Sequence, residues 1–288
     1  MDRKIRNLII LSLFLSILIL VFLFFGSSKN ENNSGFSMID VGQGDSFLIQ
    51  SSNGVQLLID AGKDSKVLSG LTSVMPKGDR FIEVIIATHP DADHIGGIKS
   101  VLKHYEVGLF LTSQVSTDTE TFKNLFFDLN KKNIPSYYAR SGMDLTLNNS
   151  TSVPTKFSII FPNRPTDNWE TNNASIVGRL DIGQRSALFT GDSPANIEHF
   201  LVNNFPKKIN VDILKLSHHG SKTGSSLEFL KSVSPNLVLI SAGVKNNYGH
   251  PNIEIIERLK SLNIPIISTI EKGTTSFYTD GLKWYKSN

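Results

Sequence analysis

Residues 88–97 read Thr-His-Pro-Asp-Ala-Asp-His-Ile-Gly-Gly, placing two histidines and two aspartates within six positions directly after a run at 82–87 that is apolar but for Glu83. A short, largely apolar run of this kind reads as a buried strand. Four potential metal ligands converge on one point only if the chain turns sharply where that strand ends. Gly96 and Gly97 then allow a tight passage into the amphipathic segment 98–104. The rest of the chain has to hold this loop and bring it further ligands.

Short strands and turns surround it. Strands are expected at 36–40, 46–51 and 55–60. Val41-Gly42-Gln43-Gly44-Asp45 forms a glycine-rich turn after the first, and Asn53-Gly54 is a hairpin signal before the third. A helix is expected at 66–74, a strand at 107–112 and a helix at 119–132, where Phe122, Leu125, Phe126 and Leu129 share one face. Further strands are expected around 136–139, 145–147, 157–161, 175–180 and 186–190. Pro194 opens a helix to about 202, since proline suits a first helical turn. There follow a strand at 211–215, a helix at 226–233, a strand at 237–241, a helix at 253–262, a strand at 266–268 and two closing strands. Antiparallel strands followed by alternating helices and strands predict two packed sheets with helices over both outer faces, an α/β (α+β) four-layer αββα sandwich.

With 288 residues and 40% hydrophobic content, the chain can bury one sizeable core or two small ones. It has no cysteine, so any transition-metal site must use histidine and carboxylate. The formal charge of +3 belongs to the N-terminus, where Arg3, Lys4, Arg6 and Lys29 stand against Asp2; the remainder carries 25 basic and 25 acidic residues. The basic excess is therefore no argument for nucleic-acid binding by the body of the chain. Residues 8–25 form an uncharged apolar run just long enough to span a bilayer. Three basic residues precede it, which puts the N-terminus in the cytoplasm, and no Ala-x-Ala-like cleavage site follows. The expected organisation is a single-pass transmembrane anchor at 1–28, a polar linker at 29–35 and a domain at 36–288 outside the cytoplasm, secreted if the segment is cleaved.

Three more motifs fall at segment ends. Thr190-Gly191-Asp192 places a carboxylate on a glycine turn just past a strand. Leu216-Ser217-His218-His219-Gly220-Ser221 puts adjacent histidines on another strand-end turn, pointing in different directions. Tyr248-Gly249-His250-Pro251-Asn252 precedes a helix. Singly, a Gly-Asp turn, a surface histidine pair and a capping turn would explain each of them. Five of the seven histidines lie in these motifs and in the opening one; His104 and His199, on expected helices, read as structural. Imidazole with carboxylate suits zinc, manganese or iron in an open, catalytic geometry.

His89-Pro90-Asp91-Ala92-Asp93-His94, Thr190-Gly191-Asp192 and His218 together resemble the metal-binding series of the metallo-β-lactamase superfamily. More narrowly, Asp40-Val41-Gly42-Gln43-Gly44-Asp45-Ser46, Ser217-His218-His219-Gly220-Ser221 and Tyr248-Gly249-His250-Pro251 are similar to the metallo-hydrolase domain of ComEC-type competence proteins. The multi-pass channel of full ComEC proteins has no counterpart in the sequence, so DNA transport by this chain alone is not expected. Asp91 stands where most of the superfamily carries histidine, and no histidine lies between His104 and His199, a region that includes Asn172-Asn173-Ala174-Ser175. Both departures favour harder oxygen ligands and manganese, and argue against lactam hydrolysis.

The resemblance implies two divalent metal ions, Zn or Mn. His89 and Asp91 hold one, Asp93 and His94 the other; Asp192 bridges them and His218 completes the second. Asp93 takes a proton from water, while His219, His250 or Ser221, free of metal, binds phosphate or protonates the leaving oxygen. Asp60, Asp45 and Gln43 support the ligands from behind. The expected activity is a metal-dependent phosphodiesterase or nuclease held in the membrane by residues 8–25. The alternatives are hydrolysis of a cell-envelope phosphodiester, such as a phosphorylcholine or teichoic-acid ester, and a non-catalytic binding module that kept the fold. No protein partner is evident.

Overall fold

Strand alternation sorts the apolar side chains into layers. In β2 (Phe47–Gln50), Phe47 and Ile49 turn one way and Leu48 the other; in β3 (Gln56–Ile59), Leu57 and Ile59 oppose Leu58. In β10 (Arg185–Phe189), Ala187 and Phe189 oppose Leu188. One side chain set from each sheet meets the other in a common interior, where Phe189 makes edge contacts with Phe36 and Phe47 at 5.3 and 5.2 Å between ring centroids. The opposite sets require helical cover, because a sheet with two apolar faces must bury both.

The computed structural model describes residues 33–150 and 152–287. Its first sheet has eight strands in the order β15-β14-β1-β2-β3-β4-β5-β6. These are β1 (Ser34–Met38), β2, β3, β4 (Phe81–Ala87), β5 (Glu106–Thr112), β6 (Ser136–Tyr138), β14 (Thr275–Thr279) and β15 (Trp284–Ser287). The second has seven in the order β13-β12-β11-β10-β9-β8-β7. These are β7 (Asp144–Asn148), β8 (Thr155–Phe161), β9 (Val177–Ile182), β10, β11 (Ile213–Lys215), β12 (Leu237–Ile240) and β13 (Ile266–Ser268). Each sheet runs antiparallel and then switches to parallel pairing, at β3–β4 in the first and β10–β11 in the second. The Asn53-Gly54 turn closes the β2–β3 hairpin, with Gly54 donating to Ser51 O at 2.9 Å.

Helices α1 (Lys66–Val74), α3 (Ile98–His104) and α4 (Glu120–Lys131) cover the first sheet with Val67, Leu71, Val101, Leu102, Leu125 and Leu129. Helices α5 (Ala195–Asn204), α7 (Leu227–Val233) and α8 (Ile253–Ser261) cover the second with Leu201, Phe229, Leu230, Ile255 and Leu259. This is the four-layer αββα sandwich expected from the sequence. Between α1 and α3, the residues read as a sharp turn form one helical turn, α2 (Ala92–Ile95), in which His94 and Ile95 both donate to Asp91 O at 3.0 Å. Two further single turns, α6 (Pro206–Ile209) and α9 (Thr269–Lys272), are too short to leave a periodic pattern in the sequence.

The parallel switch gives both sheets a rim at which strands β4, β10 and β11 end side by side. The histidine and aspartate motifs follow those ends directly. The expected membrane span at 8–25 lies outside the described residues, and among the described residues no helix is long and apolar enough to cross a membrane.

Candidate metal centre

Five segments meet at the rim. The β1–β2 turn brings Asp45, and the end of β3 brings Asp60. The segment after β4 brings His89, Asp91, Asp93 and His94; Asp192 follows β10, and the 3-10 turn Ser217–Gly220 after β11 brings His218 and His219. Gly44 makes the approach of the β1–β2 turn to the segment after β4 possible. Its φ of +125° is closed to most side chains, and a Cβ there would collide with the carbonyl oxygen of Asp93. His218 and His219 are both left-handed, at φ 49° and 54°, as is Asp60 at φ 56°. Strain of this kind costs about 1–3 kcal/mol per residue and persists where the surroundings dictate it.

Asp192 Oδ2 is the focus. Nε2 of His94 and of His219 each lie 3.3 Å from it, His218 Nε2 lies at 3.6 Å and His89 Nε2 at 4.0 Å. All four rings are held from behind by Nδ1. His94 donates to Asp60 Oδ2 at 2.8 Å and His219 to Ser241 O at 2.8 Å. Thr88 Oγ1 donates to Asp60 at 2.7 Å and therefore accepts from His89 at 3.0 Å. Thr223 Oγ1 likewise donates to Ser221 Oγ at 3.0 Å and accepts from His218 at 2.9 Å. This engagement fixes one tautomer in each neutral ring and turns the Nε2 lone pairs inward, as second partners do for metal-bound histidine.

Asp93 Oδ2 lies 3.5 Å from His219 Nε2, and Asp91 Oδ2 lies 3.7 Å from His89 Nε2. His89, His94 and Asp192 form one set of donor atoms mutually within 4.8 Å; Asp93, His94 and His219 form another. A third set joins Asp45, Asp192 and His219. The Nε2 atoms of His89, His94 and His219, with Asp45 Oδ1 and Asp192 Oδ1, are buried without a hydrogen-bond partner. Buried polar atoms without partners are costly and rare. Mixed nitrogen and oxygen donors converging in this way fit a divalent transition metal.

Electrostatics agree. Burial works against a charge on His94 and His219, but Asp192 with Asp60 or Asp45 outweighs it and raises both well above the usual histidine value. Burial also opposes ionisation of Asp192, which His219 and His94 nevertheless hold well below the usual carboxylate range. His89 goes the other way, pushed down to about 3 by burial and then by His94. Without metal, protons shared between imidazole and carboxylate balance the charge.

The sequence expectations fall unevenly around this centre. His219, expected to stay clear of the metals, is 1% exposed and sits deeper in the ligand sets than His218, whose side chain is 24% exposed. The consecutive left-handed residues decide which ring goes inward. Asp60 and Asp45 do stand behind His94 and His219. Gln43 is not brought into the cluster: its Oε1 accepts from Gly243 N at 3.2 Å and ties two loops together. Ser221, expected to face substrate, is buried and supports His218 through Thr223. His250 lies at the edge, its ring 5.4 Å from that of His218. His104 and His199 lie apart, on Ser100 O and Glu228.

Three participants escaped the sequence reading. Thr88 and Ser241 are ordinary residues whose hydrogen bonds orient ligands. Lys215 ends β11 fully buried, its Nζ paired with Asp45 Oδ2 and 2.7 Å from Gly191 O. The one visible signal was a charge in the otherwise apolar run Ile213-Leu214-Lys215-Leu216.

The metallo-beta-lactamase superfamily model matches residues 39–244, and the chain belongs to that superfamily. Within it, the chain is 28% identical over 257 residues to ComE operon protein 3 of Bacillus subtilis, covering 83% of this chain and 32% of that protein. It is 28% identical over 248 residues to competence protein ComA of Neisseria gonorrhoeae, covering 86% and 32%. It thus spans about a third of the length of the curated relatives it matches. Among solved structures, the metallo-beta-lactamase fold protein YhfI of Bacillus subtilis superposes with a TM-score of 0.53 at 16% identity, over 82% of this chain and 96% of that one. Igni18, a metallo hydrolase of Ignicoccus hospitalis, gives 0.52 at 14% identity over 84% and 98%. By superfamily the chain is a metal-dependent hydrolase, related in sequence to about a third of these two proteins.

Proposed function

We propose that the chain is a membrane-anchored phosphodiesterase that works with two divalent ions, manganese or zinc, and cuts nucleic-acid strands. The convergence of four imidazole Nε2 atoms within 4.0 Å of Asp192 Oδ2 carries this reading. His89 and Asp91 would hold one ion and Asp93, His94 and His219 the other, with Asp192 between them. When bound, such a pair polarises a phosphate and makes water nucleophilic at neutral pH.

The surrounding residues have separable tasks. Burial raises Asp93, but its hydrogen bond with His219 prevails and keeps it ionised, so it orients a water by accepting its hydrogen. His250 is pushed down to about 4 by burial and then by His218. It is neutral at neutral pH and suits hydrogen bonding to a phosphate oxygen better than supplying a proton. Tyr248, 67% exposed, stacks on the His250 ring at 5.7 Å between centroids, and exposed Lys222 and Lys245 lie on the adjoining loops. An exposed aromatic face with flanking cations suits bases and backbone of a single strand. Relatives named for competence, and recombination protein 2 of Haemophilus influenzae at 27% identity, support a nucleic-acid substrate. Residues 8–25 support the anchor, with the hydrolase domain on the outer side.

The balanced charge of the chain outside its N-terminus favours a second substrate, a cell-envelope phosphodiester, because a duplex-binding groove normally shows a basic excess. A substrate panel decides. The full-length chain with Mn²⁺ or Zn²⁺ is assayed on bis-p-nitrophenyl phosphate, single-stranded DNA and a choline phosphodiester. The proposal expects cleavage of the first two, abolished by chelator and by His94→Ala. Preference for the choline ester supports the envelope reading, and cleavage that survives chelation sinks both.

A further inference from the structure

Lys215 is 2% exposed, so stem and ammonium are both inside the protein. Its Nζ pairs closely with Asp45 Oδ2, donates to Gly191 O at 2.7 Å and faces Asp192 Oδ1 at 3.6 Å. Each carboxylate is thereby divided. Asp45 gives one oxygen to Lys215 while its other lies 3.3 Å from His219 Nδ1. Asp192 turns Oδ1 toward Lys215 and Oδ2 toward the four imidazoles. An ammonium is not left in such a place without compensation, because desolvating it is costly.

We propose that Lys215 is a fixed internal cation of the metal centre, holding Asp45 and Asp192 by one oxygen each, so that Asp192 offers its other oxygen to the ligand cluster and Asp45 turns its other oxygen to the rear of the His219 ring. The proposal rests on reading the cluster as a metal centre. The charge count fits: Asp45, Asp60, Asp91, Asp93 and Asp192 against one lysine leave four negative charges, the charge of two divalent ions. Lys215 has two consequences. It keeps buried carboxylates from repelling one another before metal arrives, so the ligands are assembled in advance. It also repels the incoming cations, and so sets metal affinity below what the same ligands would give without it.

Lys215→Met keeps the stem and removes the charge; Lys215→Met/Asp45→Asn removes the charge and one partner. Both are made in the full-length chain. With chelator present, Lys215→Met should lower Tm by on the order of 10 °C, because it strands buried carboxylates. The double variant should recover most of that loss. Titration followed by the electron paramagnetic resonance of free Mn²⁺ should show Lys215→Met binding roughly 10-fold more tightly or better. A lysine that merely props the fold predicts the opposite sign, with loosened ligands and weaker binding.

An unchanged metal-free Tm, additive losses in the double variant, or weakened Mn²⁺ binding each overturns the proposal. If Lys215→Met fails to fold and the double variant folds, the proposal stands; if neither folds, it falls. None of these readouts needs turnover. A chain that binds Mn²⁺ and behaves as described yet cleaves no phosphodiester loses only the proposed reaction. A wild-type chain that binds no Mn²⁺ loses both.

Discussion

Asp60 and His94 are joined by one 2.8 Å hydrogen bond between Oδ2 and Nδ1, and both are closed to solvent. The same carboxylate accepts from Thr88 N at 2.8 Å and Thr88 Oγ1 at 2.7 Å, and Thr88 Oγ1 in turn steadies His89. One aspartate thus aims two ligand histidines without facing the ligand cluster itself. Asp60→Asn removes its charge and one acceptor oxygen. Metal affinity should fall about 10–100-fold, as for other groups that orient ligand histidines. Mn²⁺ titration of the variant against wild type measures it, and an unchanged affinity refutes the assignment.

Removing metal should uncover a characteristic pH response. His94 and His219 are raised well above their ordinary value of 6.5. Their contribution to folding is complete below about pH 6.5 and is lost as pH rises through their higher folded values. The chelated protein should therefore lose stability on the alkaline side of neutrality. Metal competes with those same protons, so its binding strengthens as pH rises. The gap between loaded and chelated Tm should widen from pH 6.5 to 8.5. A gap that narrows contradicts the proton assignment.

Gly44 makes a backbone prediction. Alanine there must adopt φ near +125° and place Cβ against the Asp93 carbonyl. The backbone conformation alone costs about 1–3 kcal/mol, and relief requires the β1–β2 turn to retreat from the metal loop. Gly44→Ala should show that loss in urea unfolding and should weaken metal binding as well. The two effects separate only if the turn and the loop move independently.

Tyr248 tests the substrate. Stacking of one base is worth about 1–3 kcal/mol, so Tyr248→Ala should raise KM for single-stranded DNA roughly 5–150-fold. Hydrolysis of dimethyl phosphate or another phosphodiester lacking a ring should change little. Equal losses on both would mean that Tyr248 acts through His250 rather than on a base.

Much of this architecture was legible. The helix over Lys66–Val74 and the strand over Ile266–Ser268 match their expected limits, and most other elements shift by one or two residues. Ligand candidates were visible because histidine and aspartate crowd positions just past apolar runs. What stayed hidden depends on the third dimension. His218 and His219 differ in depth because two successive left-handed residues rotate the second ring inward, and no periodicity encodes that rotation. Lys215 looks like a strand-ending surface charge until Asp45, distant in sequence, closes over it. The helical turn Ala92–Ile95 is shorter than any pattern that could announce it.

The centre is split across the sandwich. Asp45, Asp60, Asp91, Asp93, His89 and His94 belong to the first sheet, and Asp192, Lys215, His218 and His219 to the second. Apolar burial between the sheets is non-directional, whereas coordination distances are held to about ±0.2 Å. Registration must come from directional links near the rim. Ser241 Oγ to Gly44 O at 2.7 Å, Gly243 N to Gln43 Oε1 at 3.2 Å and Ile176 N to Thr88 O at 3.0 Å all cross from one half to the other. Gln43, which touches no ligand, is thus an alignment pin: its loss would leave burial intact and put the two halves of the centre out of true.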